Sequence, residues 1–238
     1  MFEENVAVPS DLSDDSLSEE SRADKREEKL NGPVETIDEK SGKKIIIHYK
    51  DGLKHGDMVT LDLETGETLS LFSFEEDVLH GVATLYQNGE VHSTMLYKQG
   101  LLDGRMQIFS HGVVIVETYF RAGQQHGLAK TYTKNGILLT AVPWVDGRKE
   151  GEMRTFHDCG KVSQITPYRQ DKIHGTQRSF DINGRLIQEK EYREDQPHGR
   201  QVSFYLSGTP MEISHYKNGR LIGEPVRFDP KGNPVPRP

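Results

Sequence analysis

An all-β fold, built as an elongated single-layer antiparallel β-meander of about eight to nine tandem hairpin repeats, is what this sequence predicts. Three observations carry the prediction. First, Gly32, Gly56, Gly81, Gly104, Gly127, Gly151, Gly175, Gly199 and Gly223 stand 23 to 25 residues apart. A period in that range is the signature of an array. Second, no glycine lies outside this frame. Nine more (Gly42, Gly66, Gly89, Gly112, Gly136, Gly160, Gly184, Gly208 and Gly232) follow eight to ten residues after the first set, and the last five (Gly52, Gly100, Gly123, Gly147 and Gly219) precede it by four. Third, an aromatic stands seven residues before the frame glycine in eight full units: Tyr49, Phe74, Tyr97, Phe120, Trp144, Tyr168, Tyr192 and Tyr216.

Each glycine position marks a backbone demand for positive φ or close approach. Where the glycine at −4 is missing from a full unit, the chain has Asp77, Asp171 or Asp195, and aspartate tolerates the left-handed region. The frame glycines are expected to close a first turn, as in Lys172-Ile173-His174-Gly175. The second turn reads Asn88-Gly89, Asn135-Gly136 and Asn183-Gly184, the dipeptide of a two-residue hairpin. A second aromatic follows the frame glycine by five residues in seven units, from Tyr86 to Phe228. With a turn centred near −1, the aromatics at −7 and +5 are expected to face each other across the strands, contributing roughly 0.2–1 kcal/mol per pair.

Residues 1–30 differ from the rest, with ten acids against four bases. Such a segment carries too little apolar surface to offset ordering, so it reads as a disordered acidic tail. Residues 31–238 form the array. They begin with a half unit, in which Lys25 stands where an aromatic is expected, and close with Pro230, Pro234, Pro236 and Pro238. Proline cannot donate to a further ladder and so blunts a sheet edge. Two short strands per unit leave no room for crossover helices. About 17 strands at roughly 4.8 Å spacing make a sheet on the order of 80 Å long. Val91, Val114, Leu138, Val162 and Leu186, two residues after the second-turn glycine, add a narrow apolar stripe.

The net charge of −7 resides almost wholly in the acidic segment. The array itself is near neutral with interspersed signs, which argues against nucleic acid as a partner. No leader pattern or long apolar stretch is present, so a cytoplasmic location is expected. The lone Cys159 precludes an intramolecular disulfide and agrees with a reducing compartment.

Candidate chemistry is sparse. His55, His80, His126, His174 and His198 recur at −1. Equivalent residues two strands apart lie roughly 9–10 Å from one another, too far to share a zinc that needs ligands at about 2.1 Å. His157-Asp158-Cys159 resembles a nucleophile with a base, yet Cys159 fills a turn slot held elsewhere by Asn88, Asn135 and Asn183. No catalytic residue, cofactor or metal is therefore expected. The aromatic row is the remaining candidate, because Tyr, Trp and Arg are enriched at binding hot spots. Trp144 is the first choice of anchor, with Tyr168, Tyr192, Arg154 and Arg178 as further partner-binding residues.

The pattern Tyr-Lys-x-Gly-x-x-x-Gly, present as Tyr49-Lys-Asp-Gly-Leu-Lys-His-Gly56 and Tyr216-Lys-Asn-Gly-Arg-Leu-Ile-Gly223, resembles MORN repeats. More closely, it is similar to the bacterial variant found in YwqK-type antitoxins and in immunity proteins of contact-delivered toxins. That resemblance implies an elongated hairpin sheet used as a protein-binding surface, without an active site, whose partner is a cognate toxin or effector. The alternative it implies is a scaffold or lipid-associated protein. Membrane association is not expected here, since the sequence shows no polybasic cluster. The oligomeric state is left open.

Overall fold

The structure is a computed structural model that describes residues 29–235. The expectation for the acidic segment therefore lies outside the described residues except at Lys29 and Leu30, as do those for Lys25, Pro236 and Pro238. The described chain is all-β, with 21 strand segments in one open sheet and no helix. All pairings between segments are antiparallel. Four segments, Val78–Leu79, Gln124–Gln125, Arg148–Lys149 and Lys172–Ile173, are two residues long and resume after a single residue. Joined to their continuations, the strands match the number expected from the repeat.

The first turn does not lie where its glycine suggested. In the unit around Gly175, the strand Val162–Arg169 ends at a turn of Gln170 and Asp171, and Arg169 pairs directly with Lys172. Both turn residues have positive φ, 49° and 67°, which defines the tight hairpin turn matched to strand twist. The residue at −5 is a non-glycine with φ near +50° in every full unit, Gln99 and Ala122 included. Those residue types rarely visit that region, so composition alone does not reveal the turn.

The frame glycine instead sits within a strand, at a wide bulge. Across the hairpin Ile47 pairs with Met58 and Tyr49 with Lys54. Three residues, His55, Gly56 and Asp57, thus oppose His48 alone, and the register slips accordingly. At Gly175, φ is +113° and an added Cβ would lie 3.2 Å from Cγ of Pro167. Conformation and close approach both demand glycine there.

The displaced first turn also overturns the expected aromatic pairs. The −7 aromatic faces the −2 residue of its own hairpin, as Tyr168 faces Ile173, and the frame glycine of the preceding unit, Gly151, on its other side. The +5 aromatics face the aliphatic stripe: Tyr86 opposes Val91, Phe109 opposes Val114 and Phe180 opposes Leu186. The turn centre lies between −5 and −4, which makes −7 and −2 equidistant from it.

The second turns divide into two kinds. Asn88-Gly89 and His111-Gly112 are two-residue loops with positive φ at both positions. Asn135-Gly136 and Asn183-Gly184 are not, because only the glycine is left-handed. There Thr133 and Asp181 side chains accept the amides of Ile137 and Arg185 at 3.0 and 2.8 Å. These bonds close a longer loop that competes with the tight turn.

Directly opposed residues share a face, and faces alternate along a strand. The −9, −7, −2 and +2 positions fall on one side, here called the aromatic face. Its core lies in the first half of the array, where buried Phe72, Ala83 and Met95 pack against Met58, Phe74, Leu79, Tyr97 and Met106. Further along the row, Thr118, Thr166, Gln177, Lys190 and Gln201 replace these apolar residues. Both edge strands carry a proline: Pro33 in Gly32–Asp38 and Pro225 in Arg220–Arg227. The chain also folds back on the latter, with Phe228 bridged to Pro234 and the Val235 amide donating to the Arg227 carbonyl at 2.8 Å. Proline at an edge removes donors that would recruit another strand.

Candidate functional site

Eight two-residue turns line up along one edge of the sheet, and hydrogen bonds between successive units fix their spacing. The amide at −4 donates to the −2 carbonyl of the preceding unit, as Asp195 donates to Ile173 and Gly219 to Pro197, each at 2.9 Å. Where −4 is aspartate, its carboxylate answers in the opposite direction. Asp77, Asp171 and Asp195 accept the amides of Lys54, Lys149 and Ile173 at 2.7, 2.8 and 2.7 Å. Aspartate therefore does more than tolerate the left-handed backbone. Asp171→Gly should leave the chain nearly as stable, since glycine suits the turn. Asp171→Ala loses the acceptor and places alanine at φ 67°, a backbone cost of about 1–2 kcal/mol. Urea unfolding of the two variants separates these outcomes.

The −1 residue has a matching task. Asn31, Asp103 and Glu150 accept the −5 amide of the following unit, from Asp51, Ala122 and Gln170, at 2.9, 3.1 and 2.8 Å. Nδ1 of His198 accepts the Asn218 amide at 3.4 Å, and Nδ1 of His126 lies 3.4 Å from the Asp146 amide and 3.1 Å from the Asp146 carboxylate. His126, His174 and His198 thus reach the next turn from the position that the other acceptors hold, whereas His80 lies 3.3 Å from Glu75 of its own turn. Among the described residues no group of three or more His, Cys, Asp or Glu side chains is placed to hold a metal.

His157 also serves the stacking of units. Its Nε2 donates to the Phe180 carbonyl at 3.0 Å, and Tyr205, at the same repeat position, donates its hydroxyl to the Phe228 carbonyl at 2.8 Å. Cys159 is exposed, and its Sγ lies 3.9 Å from the Ile182 carbonyl.

Of the candidate binding residues, Trp144, Tyr168 and Tyr192 lie on the aromatic face at equivalent positions of consecutive units. Each is partly exposed. Lys149, which the sequence reading passed over, projects between the first two. Its Nζ is 5.8 Å from the Trp144 ring centre and 5.2 Å from that of Tyr168. A cation over an aromatic face contributes about 0.5–1 kcal/mol at exposed sites. Burial, and then the Asp195 carboxylate, push the Tyr168 hydroxyl above the usual phenol value. The polar Thr166, Gln177 and Lys190 stand beside these rings, so this half of the face joins flat apolar surface to hydrogen-bonding groups.

Arg154 and Arg178 are on the other side. Arg154 opposes Ala141 and Ile165, and Arg178 opposes Ile165 and Glu189. They pair with Glu152 and Glu189 at 3.1 Å each. The alternation of faces thus parts the two arginines from the three aromatics.

The same opposite face carries a row that the interspersed charges of the sequence conceal. Positions −6 and −3 flank every first turn as direct partners, for example Arg169 with Lys172 and Lys217 with Arg220. Nine of these sixteen positions are Lys or Arg, against the single acid Glu75. All nine are exposed. Successive turns abut, with Arg148 and Arg169 lining one shallow groove beside Val145 and Glu150.

Several turn carboxylates are held below the usual carboxylate range. Hydrogen bonds from Ser41, Thr65, Arg185 and Asn233 do so at Asp38, Asp62, Asp181 and Asp229, and the Lys172 ammonium does so at Glu194, helped by His174. A carboxylate whose folded value is depressed contributes stability above its unfolded value of about 3.9–4.3, and loses it as pH falls through the folded value. The thermal midpoint is therefore expected to hold from pH 7 to about 5 and to fall below about 4. Asp181→Asn should flatten that acid limb.

The fold and the row together define a repeat-type β-sheet array with a face suited to binding. A family model described as MORN repeat variant matches residues 197–218. That stretch spans one frame bulge, at Gly199, and one second turn, at Gly208, and ends on Asn218, the first residue of a first turn. No curated protein matches the chain. Among solved structures, a crystal structure of TarM is similar at 13% identity and a TM-score of 0.30, covering 50% of this chain and 21% of that one. A mutant S. aureus TarM in complex with fondaparinux, α-GlcNAc-glycerol and UDP is similar at 11% identity and a TM-score of 0.30, covering 51% and 21%. The chain thus spans about a fifth of the length of either, and at that TM-score the likeness says nothing of function.

Proposed function

We propose that this chain is a non-enzymatic protein-binding array of the antitoxin or immunity kind. It holds a cognate toxin or effector against the aromatic face in the cytoplasm and blocks it by coverage. One observation carries the reading: Trp144, Tyr168 and Tyr192 stand in register, partly exposed, with Lys149 between the first two rings. Residues of these types, set on a rigid sheet, supply large contact area at little entropic cost. The MORN-variant match at residues 197–218 supports the repeat-binding part of this reading. The resemblance of the Tyr-Lys-x-Gly-x-x-x-Gly units supports the choice of partner.

Capture from native lysate of the source organism tests it, together with co-expression against the protein recovered. The expected result is a stoichiometric partner that is toxic alone and harmless with this chain. Recovery of no such partner, and no protection, would overturn the reading.

A further inference from the structure

We propose that the cationic row on the face opposite the aromatics is the docking surface for the protein's own acidic segment. Residues 11–20 then lie along the turns from Arg121 to Arg193. The reading is independent of which protein the aromatic face takes.

The row offers unmatched positive charge. Arg121, Arg148, Arg169, Arg193, Lys217 and Arg220 have no acid within ion-pair distance among the described residues, whereas Lys172 pairs with Glu194 at 2.9 Å. The carboxylates of the neighbouring turns are engaged inside the edge. Asp171 and Asp195 accept backbone amides, Glu150 accepts the Gln170 amide, and Asp146 lies 3.1 Å from His126. The cations face solvent in steps of two strands, roughly 9.5 Å each.

The complementary charge is close at hand. Residues 1–28 hold ten acids against three bases, and within 10–21 stand Asp11, Asp14, Asp15, Glu19 and Glu20 with no base. This segment joins the array at the turn edge itself. Lys29 occupies the −3 position of the first frame glycine, Gly32, and the Leu30 carbonyl accepts the Gly52 amide at 2.9 Å. Length then fixes the reach. Extended chain covers at most roughly 3.3 Å per residue, so Glu20 and Asp11 can reach up to about 30 and 60 Å from Lys29. The turns beside Arg121 and Arg193 lie three and six steps beyond that of Gly52, or roughly 30 and 57 Å.

The test uses the full chain carrying Arg148→Lys and Arg169→Lys, which supply amines along the row. Zero-length carbodiimide coupling, read by peptide mass spectrometry, should join peptide 10–21 to positions 148 and 169 within one molecule at low salt. Screening at about 1 M salt should abolish these links. As a second measurement, neutralising Asp11, Asp14, Asp15, Glu19 and Glu20 to Asn and Gln should raise the salt at which the chain elutes from a heparin column. Coupling confined to Lys25 and Lys29, links only between molecules, or unchanged elution would overturn the proposal. So would pelleting of the unmodified chain with phosphatidylserine vesicles at physiological salt, which would assign the row to a membrane instead.

Discussion

Gly175→Val is expected to destabilise the array by about 3 kcal/mol, combining left-handed backbone strain with overpacking. The glycine has φ +113°, and the atom that an added Cβ would meet belongs to the proline ring of Pro167, which cannot swing aside. Gly184 provides the contrast: φ is +87° and nothing lies within 4 Å of an added Cβ. Gly184→Asn should therefore cost less than about 1 kcal/mol, since asparagine tolerates that region. Urea unfolding followed by circular dichroism gives both values. Equal losses at the two sites would show that the bulge is not where register is set.

The second large effect concerns binding. Trp144→Ala should weaken the captured partner by about 2 kcal/mol or more, roughly 30-fold in Kd. Arg154→Ala, on the other face and already paired with Glu152, should change it by less than about two-fold. Calorimetric titration of each variant decides between the faces. The reverse ranking would move the interface to the side of Arg154 and Arg178.

Much of this fold is legible in the sequence, because glycine placement reports backbone demand directly. The all-β class, the strand number and the left-handed backbone of aspartate at −4 all follow from it, whereas the amide that each of these carboxylates accepts does not. The turn position does not. Gln99 and Ala122 adopt positive φ with no side-chain chemistry that announces it; the preceding unit's −2 carbonyl holds the turn by accepting the −4 amide. The true two-residue turn thus lies four residues before the glycine that seemed to mark it. That displacement carried the aromatic pairing with it.

The candidate site shows the same limit. Trp144, Tyr168 and Tyr192 are visible as a periodic set, and their shared face follows from equal register. Arg154 and Arg178 sit close to them in sequence, but the first turn pairs −7 with −2, and the bulge keeps −2 and +2 on one side, so the +3 arginines fall on the other. Lys149 and the cationic row escaped for a related reason. Charges that alternate along the chain separate by face and gather by turn once the strands are laid side by side, and composition averages over both.

Amide hydrogen exchange at the first-turn edge tests the central claim, that neighbouring hairpins are tied into one sheet through their turns. The amides of Gly100, Gly123, Asp171, Asp195 and Gly219 should exchange slowly, because each donates to the preceding unit. Exchange of these five at the rate of free peptide, with the strand interiors still protected, would contradict it.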